Sequence, residues 1–134
     1  MLTKQTSVRY SQNCLICLKI GTLYSAEYVN NLYQAVRKQS SDDFICFTDD
    51  ARGINPGVIC FHMEPRQCEG WKHLWCKIIM YGREELKKYH KKIYFDLDLV
   101  VQGDITPILN HDADWSLIEC PWKGVFFRVN NPGE

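Results

Sequence analysis

The reading of this chain turns on KKIYFDLDLVVQGDI, Lys91–Ile105. An apolar strand, Ile93-Tyr94-Phe95, runs into Asp96-Leu97-Asp98, and a second apolar run, Leu99-Val100-Val101, follows. An ionised carboxylate is costly to bury unless something pairs with it. The strand is therefore expected to leave its sheet at Asp96. Residues i and i+2 of an extended segment point the same way, so Asp96 and Asp98 are expected to converge. Two converging carboxylates make a hard-cation site for Mg²⁺ or Mn²⁺, completed by water and substrate phosphates. The same pair also fits two solvated turn aspartates.

Outward from that stretch, hydrophobic periodicity predicts strands at Asn13–Ile20, Asp43–Thr48 and Val58–His62. A helix is predicted from Ser25 to Gln39, with Val29, Leu32, Tyr33 and Val36 as its buried stripe and Ser25 as N-cap. Trp71, Leu74, Trp75 and Ile78 give helical spacing to GWKHLWCKIIMYG, and REELKKYHKK reads as a short charged helix. DITPIL is a turn with one helical turn, and DWSLIEC and GVFFRV read as further strands. Strands alternating with helices imply an α/β fold, a mostly parallel sheet flanked by helices. In such folds ligands bind beyond the carboxyl ends of the strands.

The 134 residues suffice for one domain, 1–134, and not for two ordinary ones. Sixteen basic and sixteen acidic residues balance, so no global basic field argues for nucleic acid. No apolar run approaches the ~20 residues of a transmembrane segment. The seven cysteines stand mostly in strand-like runs, where free cysteine acts as a small hydrophobe. Cys14-x-x-Cys17 is half of a zinc or redox signature, but no second pair accompanies it. This usage points to a reducing compartment and a cytoplasmic protein.

YFDLDLVVQGDITPIL resembles the "YLDxDxxvxGDLxxL" block of GT-A nucleotide-sugar glycosyltransferases, family-eight-like, and of their bacterial and viral relatives. CLKIGTLYSAEYVNNLYQAV, FICFTDDARGINPGV and EGWKHLWCKIIMY are similar to three further blocks, in the family's order. The resemblance covers roughly residues 14 to 110. It implies a Rossmann-like nucleotide-diphospho-sugar transferase fold, with Asp96 and Asp98 holding Mn²⁺ or Mg²⁺. It implies a nucleotide-sugar donor, most simply a UDP-sugar, and a glycan, lipid or protein acceptor. Gly21, Thr22 and Tyr24 would hold the nucleoside, Asp49 and Asp50 would lie near the nucleotide, Lys77 would meet the phosphates, and Leu97 lies inside the metal motif.

Bland readings stand beside these. Gly21, Thr22 and Tyr24 also make an ordinary strand–helix turn. Asp49 and Asp50 also fit a capped turn, and Lys77 a solvated helix face. Trp71 and Trp75 read as core, and Asp104 as structural. Lys72, His62, His73, His90 and His111 form no motif. IYFDLD is similar as well to the first motif of haloacid-dehalogenase-type phosphatases, with Asp96 as nucleophile, although Leu99 stands where that motif has glycine. The family's blocks continue beyond the last residues here. The resemblance therefore implies a partial fold lacking its acceptor portion, prone to self-association as a homo-oligomer. A non-catalytic nucleotide-binding domain that keeps the fold is the alternative.

Overall fold

The computed structural model describes residues 13–65 and 73–117. Four strands, β1 (Asn13–Lys19), β2 (Asp43–Thr48), β3 (Ile59–His62) and β4 (Lys91–Tyr94), form one sheet in the order β3-β2-β1-β4. All three pairings are parallel. Among the described residues, helices α1 (Ala26–Arg37), α2 (His73–Tyr81) and the one-turn α3 (Thr106–Leu109), with a 3-10 turn at Glu84–Leu86, accompany the sheet.

Side-chain alternation divides the core into two layers. Leu15 and Cys17 of β1 with Phe44 and Cys46 of β2 face α1, where Val29, Leu32 and Val36 meet them. Cys14, Ile16, Ile45 and Phe47 face the other way, onto Met80 of α2 and onto Met63, Leu86 and Tyr89. Cys14 and Cys17 thus lie on opposite faces of one strand. The core reading of this pair holds, since opposite faces do not bring two thiols to one metal or one disulfide.

Helix α1 follows its predicted stripe. Val29, Leu32 and Val36 are buried and Tyr33 is half-buried. Ser25 takes the extended backbone of an N-cap but makes no side-chain cap bond. Asn30 of α1 accepts from Asn55 N–H at 2.7 Å and donates to Gly53 O at 2.9 Å, so the helix pins the loop between β2 and β3. The chain passes so close to Tyr33 at Gly57 that a Cβ there would lie 2.1 Å from the phenol oxygen. Gln39 closes the other end. Its amide donates to Gly103 O at 2.8 Å and accepts from Ile105 N–H at 2.7 Å, which fixes the turn before α3.

Three expectations need correction. In α2 the predicted stripe included Ile78, which is 56% exposed, whereas Cys76 and Met80 are buried. HLWCKIIMY is so apolar that periodicity does not select a face. REELKKYHKK holds a 3-10 turn, Glu84–Leu86, and its last two residues, Lys91 and Lys92, already belong to β4. Leu86 and Tyr89 both enter the core, and their spacing of three matches three residues per turn. Asp114–Leu117, the described part of the predicted strand DWSLIEC, has no strand structure. It pairs with neither sheet edge, and Trp115 instead meets the Tyr81 ring edge-on. Trp71, Lys72 and GVFFRV (124–129) lie outside the described residues.

Among the described residues no helix is long and apolar enough to cross a membrane. Cys14, Cys17, Cys46 and Cys60 are free, while Cys76 is disulfide-bonded. A disulfide belongs to oxidising surroundings, so cysteine usage does not by itself select a reducing compartment.

Burial pushes the Cys14 thiol up to about 12 from its ordinary 9.0. Burial likewise raises Tyr81, and raises Tyr89 together with its bond to Asp43. These groups stay protonated in the folded state at a pH where the unfolded chain releases their protons. Their contribution is whole below about pH 9 and is lost as pH rises toward 12. Urea titrations across this range are expected to show stability falling steadily above pH 9, with a shallower fall in Cys14→Ala. Identical alkaline slopes in the two proteins would contradict the assignment.

Candidate functional site at the carboxyl edge of the sheet

Strand β1 is central. From it the chain moves through β2 to β3 on one side, and returns to β4 on the other. The direction of winding changes between β1 and β4, where a parallel sheet opens a crevice for ligands. The segments that end there are Lys19-Ile20-Gly21 after β1 and Phe95-Asp96 after β4. Asp49-Asp50 end the neighbouring β2.

Asp96 meets Lys77 of α2, whose ammonium donates to its Oδ1 at 2.6 Å. The same ammonium lies 4.7 Å from the centre of the Tyr94 ring. Burial, and after it the Asp96 charge, holds the Tyr94 hydroxyl protonated far above the usual phenol range. Tyr94 pairs with Ile16 in register and so faces α2, as Asp96 does two residues later. The alternation therefore delivers Asp96 to Lys77, while Phe95 and buried Leu97 point to the α1 core.

At Asp98 the strand geometry no longer applies. Leu99 N–H donates to Asp96 O at 3.2 Å, which closes Asp96–Leu99 into a turn. Asp98 is exposed and makes no hydrogen bond or ion pair among the described residues. It lines a groove of about 310 Å³ on the α1 side, with Tyr28, Asn31 and Leu99 among its neighbours. The expected convergence rested on an extended backbone. In the turn, Asp96 is engaged by α2 and Asp98 is free toward α1. Among the described residues no group of three or more His, Cys, Asp and Glu gathers.

The remaining predicted residues divide. Gly21 has φ +77°, a left-handed conformation suited to glycine. Its N–H reaches both Asp49 carboxylate oxygens, at 3.3 and 3.2 Å, which ties the β1–α1 loop to the end of β2. Asp50 turns the other way. Arg52 grips it with Nε at 2.9 Å and Nη2 at 2.7 Å, and Arg52 N–H adds a third bond at 3.0 Å. These bonds hold its carboxyl well below the usual carboxylate range. Asp50 therefore caps a turn, as its bland reading had it. Tyr24 stacks edge-on against Tyr28 at 5.0 Å and reaches the α1 core cluster. Thr22 is exposed in the loop. Asp104 accepts from Thr106 N–H at 2.9 Å and Oγ1 at 2.6 Å, a structural role.

No family model, no curated protein and no solved structure matches this chain. The functional reading rests on the residues and their arrangement.

One residue at this edge escaped the sequence reading. Lys19, the last residue of β1, is 7% exposed. In CLKIG it reads as an ordinary solvated strand end. Its parity with Leu15 and Cys17, two buried positions of the same face, is the signal that was present.

The Lys77–Asp96 pair is partly open to solvent, and such pairs contribute about 0–1 kcal/mol. Lys77→Met is expected to lower unfolding free energy by no more than about 1 kcal/mol. Asp98→Asn is expected to change it by less than about 0.5 kcal/mol. Chemical denaturation checks both, and a loss of several kcal/mol in either would make the residue a structural support rather than a site group.

Proposed function

We propose that the chain is a nucleotide-sugar-binding domain of the GT-A glycosyltransferase type, taking a UDP-sugar as donor. The observation that carries this reading is the meeting of Asp96 and Lys77 at the β1–β4 crevice. Two distant parts of the sequence bring an oxygen donor and a cation to the one edge where a parallel sheet binds ligands. The strand order β3-β2-β1-β4 supports a Rossmann-like arrangement.

Asp98 offers an open oxygen donor on the α1 side and Asp96 a second one on the α2 side, held by Lys77; the two are too few to cage a cation alone. That donor chemistry fits Mg²⁺ or Mn²⁺, which keep positions for water and substrate phosphates. Bound there, such a metal would supply Lewis-acid neutralisation of the leaving nucleoside diphosphate. Lys77 holds Asp96 in place and puts a second positive charge within reach of the phosphates. The Gly21 loop, held by Asp49, provides a fixed rim for the nucleoside, with Thr22 and Tyr24 on it. The sugar passes to a glycan, lipid or protein acceptor.

Calorimetry with UDP is the first test. Affinity is expected to rise at least about tenfold on adding Mn²⁺, the effect of about 1.4 kcal/mol, and Asp98→Asn is expected to remove that gain. Equal affinity with and without metal would overturn the reading. Metal-dependent UDP binding without sugar transfer from pooled UDP-sugars would leave a non-catalytic nucleotide-binding domain.

A further inference from the structure

The geometry points to Lys19 as the anion-binding residue of the crevice, the contact for the diphosphate of an organic phosphate ligand. Lys19 ends the central strand, at the edge where ligands are expected. Its parity places it on the α1 face with Leu15 and Cys17, whereas Leu18 and Ile20 pack on the α2 face. The residue is 93% buried by its 7% exposure, yet makes no hydrogen bond or ion pair among the described residues. Burying a lysine stem is ordinary, because the stem is apolar. Its ammonium must then reach either water or a counter-charge.

The neighbours that could neutralise it are engaged elsewhere. Thr48, its register partner on β2, is 2% exposed. The Thr48 hydroxyl donates to Asp50 O at 3.0 Å and accepts from Asp50 N–H at 3.0 Å. Asp50 feels the Lys19 charge, but its carboxylate is gripped by Arg52. Asp49 is turned to Gly21 N–H, and Asp96 to Lys77. Among the described residues, no buried, sealed side-chain nitrogen or oxygen lacks a hydrogen-bond partner. The Lys19 ammonium, which has none, therefore keeps contact with solvent. A buried stem, a head open to solvent at the strand end and no ion-pair partner among the described residues are the features of a cation held for an incoming anion.

This inference takes from the nucleotide-sugar reading only the nucleoside; the anion site stands on Lys19 itself. The test compares wild type, Lys19→Met and Lys19→Gln, with inorganic pyrophosphate, UDP and uridine as probes and Mn²⁺ present throughout. Loss of one charge-assisted contact is expected to weaken pyrophosphate and UDP by about ten- to hundredfold. Uridine affinity is expected to be unchanged, and the melting temperature of the free variants to stay level or rise. Pyrophosphate binding that depends on Lys19 without any preference for UDP would uphold the anion site and overturn the nucleotide reading. UDP binding unaltered in both variants would overturn the anion site while leaving the nucleotide reading in place. A sharp fall in melting temperature in both variants, together with no stabilisation of wild type by pyrophosphate, would make Lys19 structural and overturn the proposal.

Discussion

Strand β1 is hydrogen-bonded on both edges and covered on both faces, so Cys14, Leu15, Ile16 and Cys17 have no exposed surface. A strand so enclosed has no room for polar side chains until it leaves the sheet. The parallel neighbour β2 is paired on both edges too and shares the constraint, whereas β4 is an edge strand that opens on Lys91 and Lys92. The polar groups of β1 and β2 are therefore confined to the strand ends. Lys19, Asp49, Asp50 and Asp96 all lie just at or beyond the last strand residues. The chemistry of the edge follows from the apolar demand of the middle.

The charges at that edge are organised by short local bonds. Asp50 is neutralised by Arg52 two residues on, Asp49 serves the Gly21 loop, and Asp96 is matched by Lys77 across from α2. Among the described residues of that edge, the cation Lys19 and the carboxylate Asp98 make no hydrogen bond or ion pair, and both lie toward α1. An edge with open charges of both signs suits a ligand that carries both. The bonds to Asp49 and Asp50 hold the loops still, and a ligand site gains from groups that need not be ordered on binding.

The sequence was readable where periodicity was clean. DFICFT gave a strand with the observed ends because a short continuous apolar run is bounded by polar residues, and AEYVNNLYQAVR gave its buried stripe because its apolar residues recur with the helical period. HLWCKIIMY carries too little polarity to show which side faces inward, so Ile78 was placed wrongly. The presence of Asp96 at the carboxyl edge was legible from the cost of burying it. The relation between Asp96 and Asp98 was not, because one backbone bond from Leu99 to Asp96 decides between strand and turn. Lys19 was missed for a different reason. Its parity with Leu15 and Cys17 could be read, but how deeply a lysine at a strand end is buried is set by tertiary packing.

The proposed metal–diphosphate site lies between the ends of β1 and β4. Nuclear magnetic resonance with UDP and substoichiometric Mn²⁺ reads location directly, since the paramagnetic ion broadens nearby amide signals. Broadening is expected at Gly21 and from Asp96 to Leu99, while Lys91 at the amino end of β4 and its partner Leu109 of α3 remain sharp. Broadening centred instead on His62 and Glu64 at the β3 edge, or none at all with UDP present, would contradict that placement.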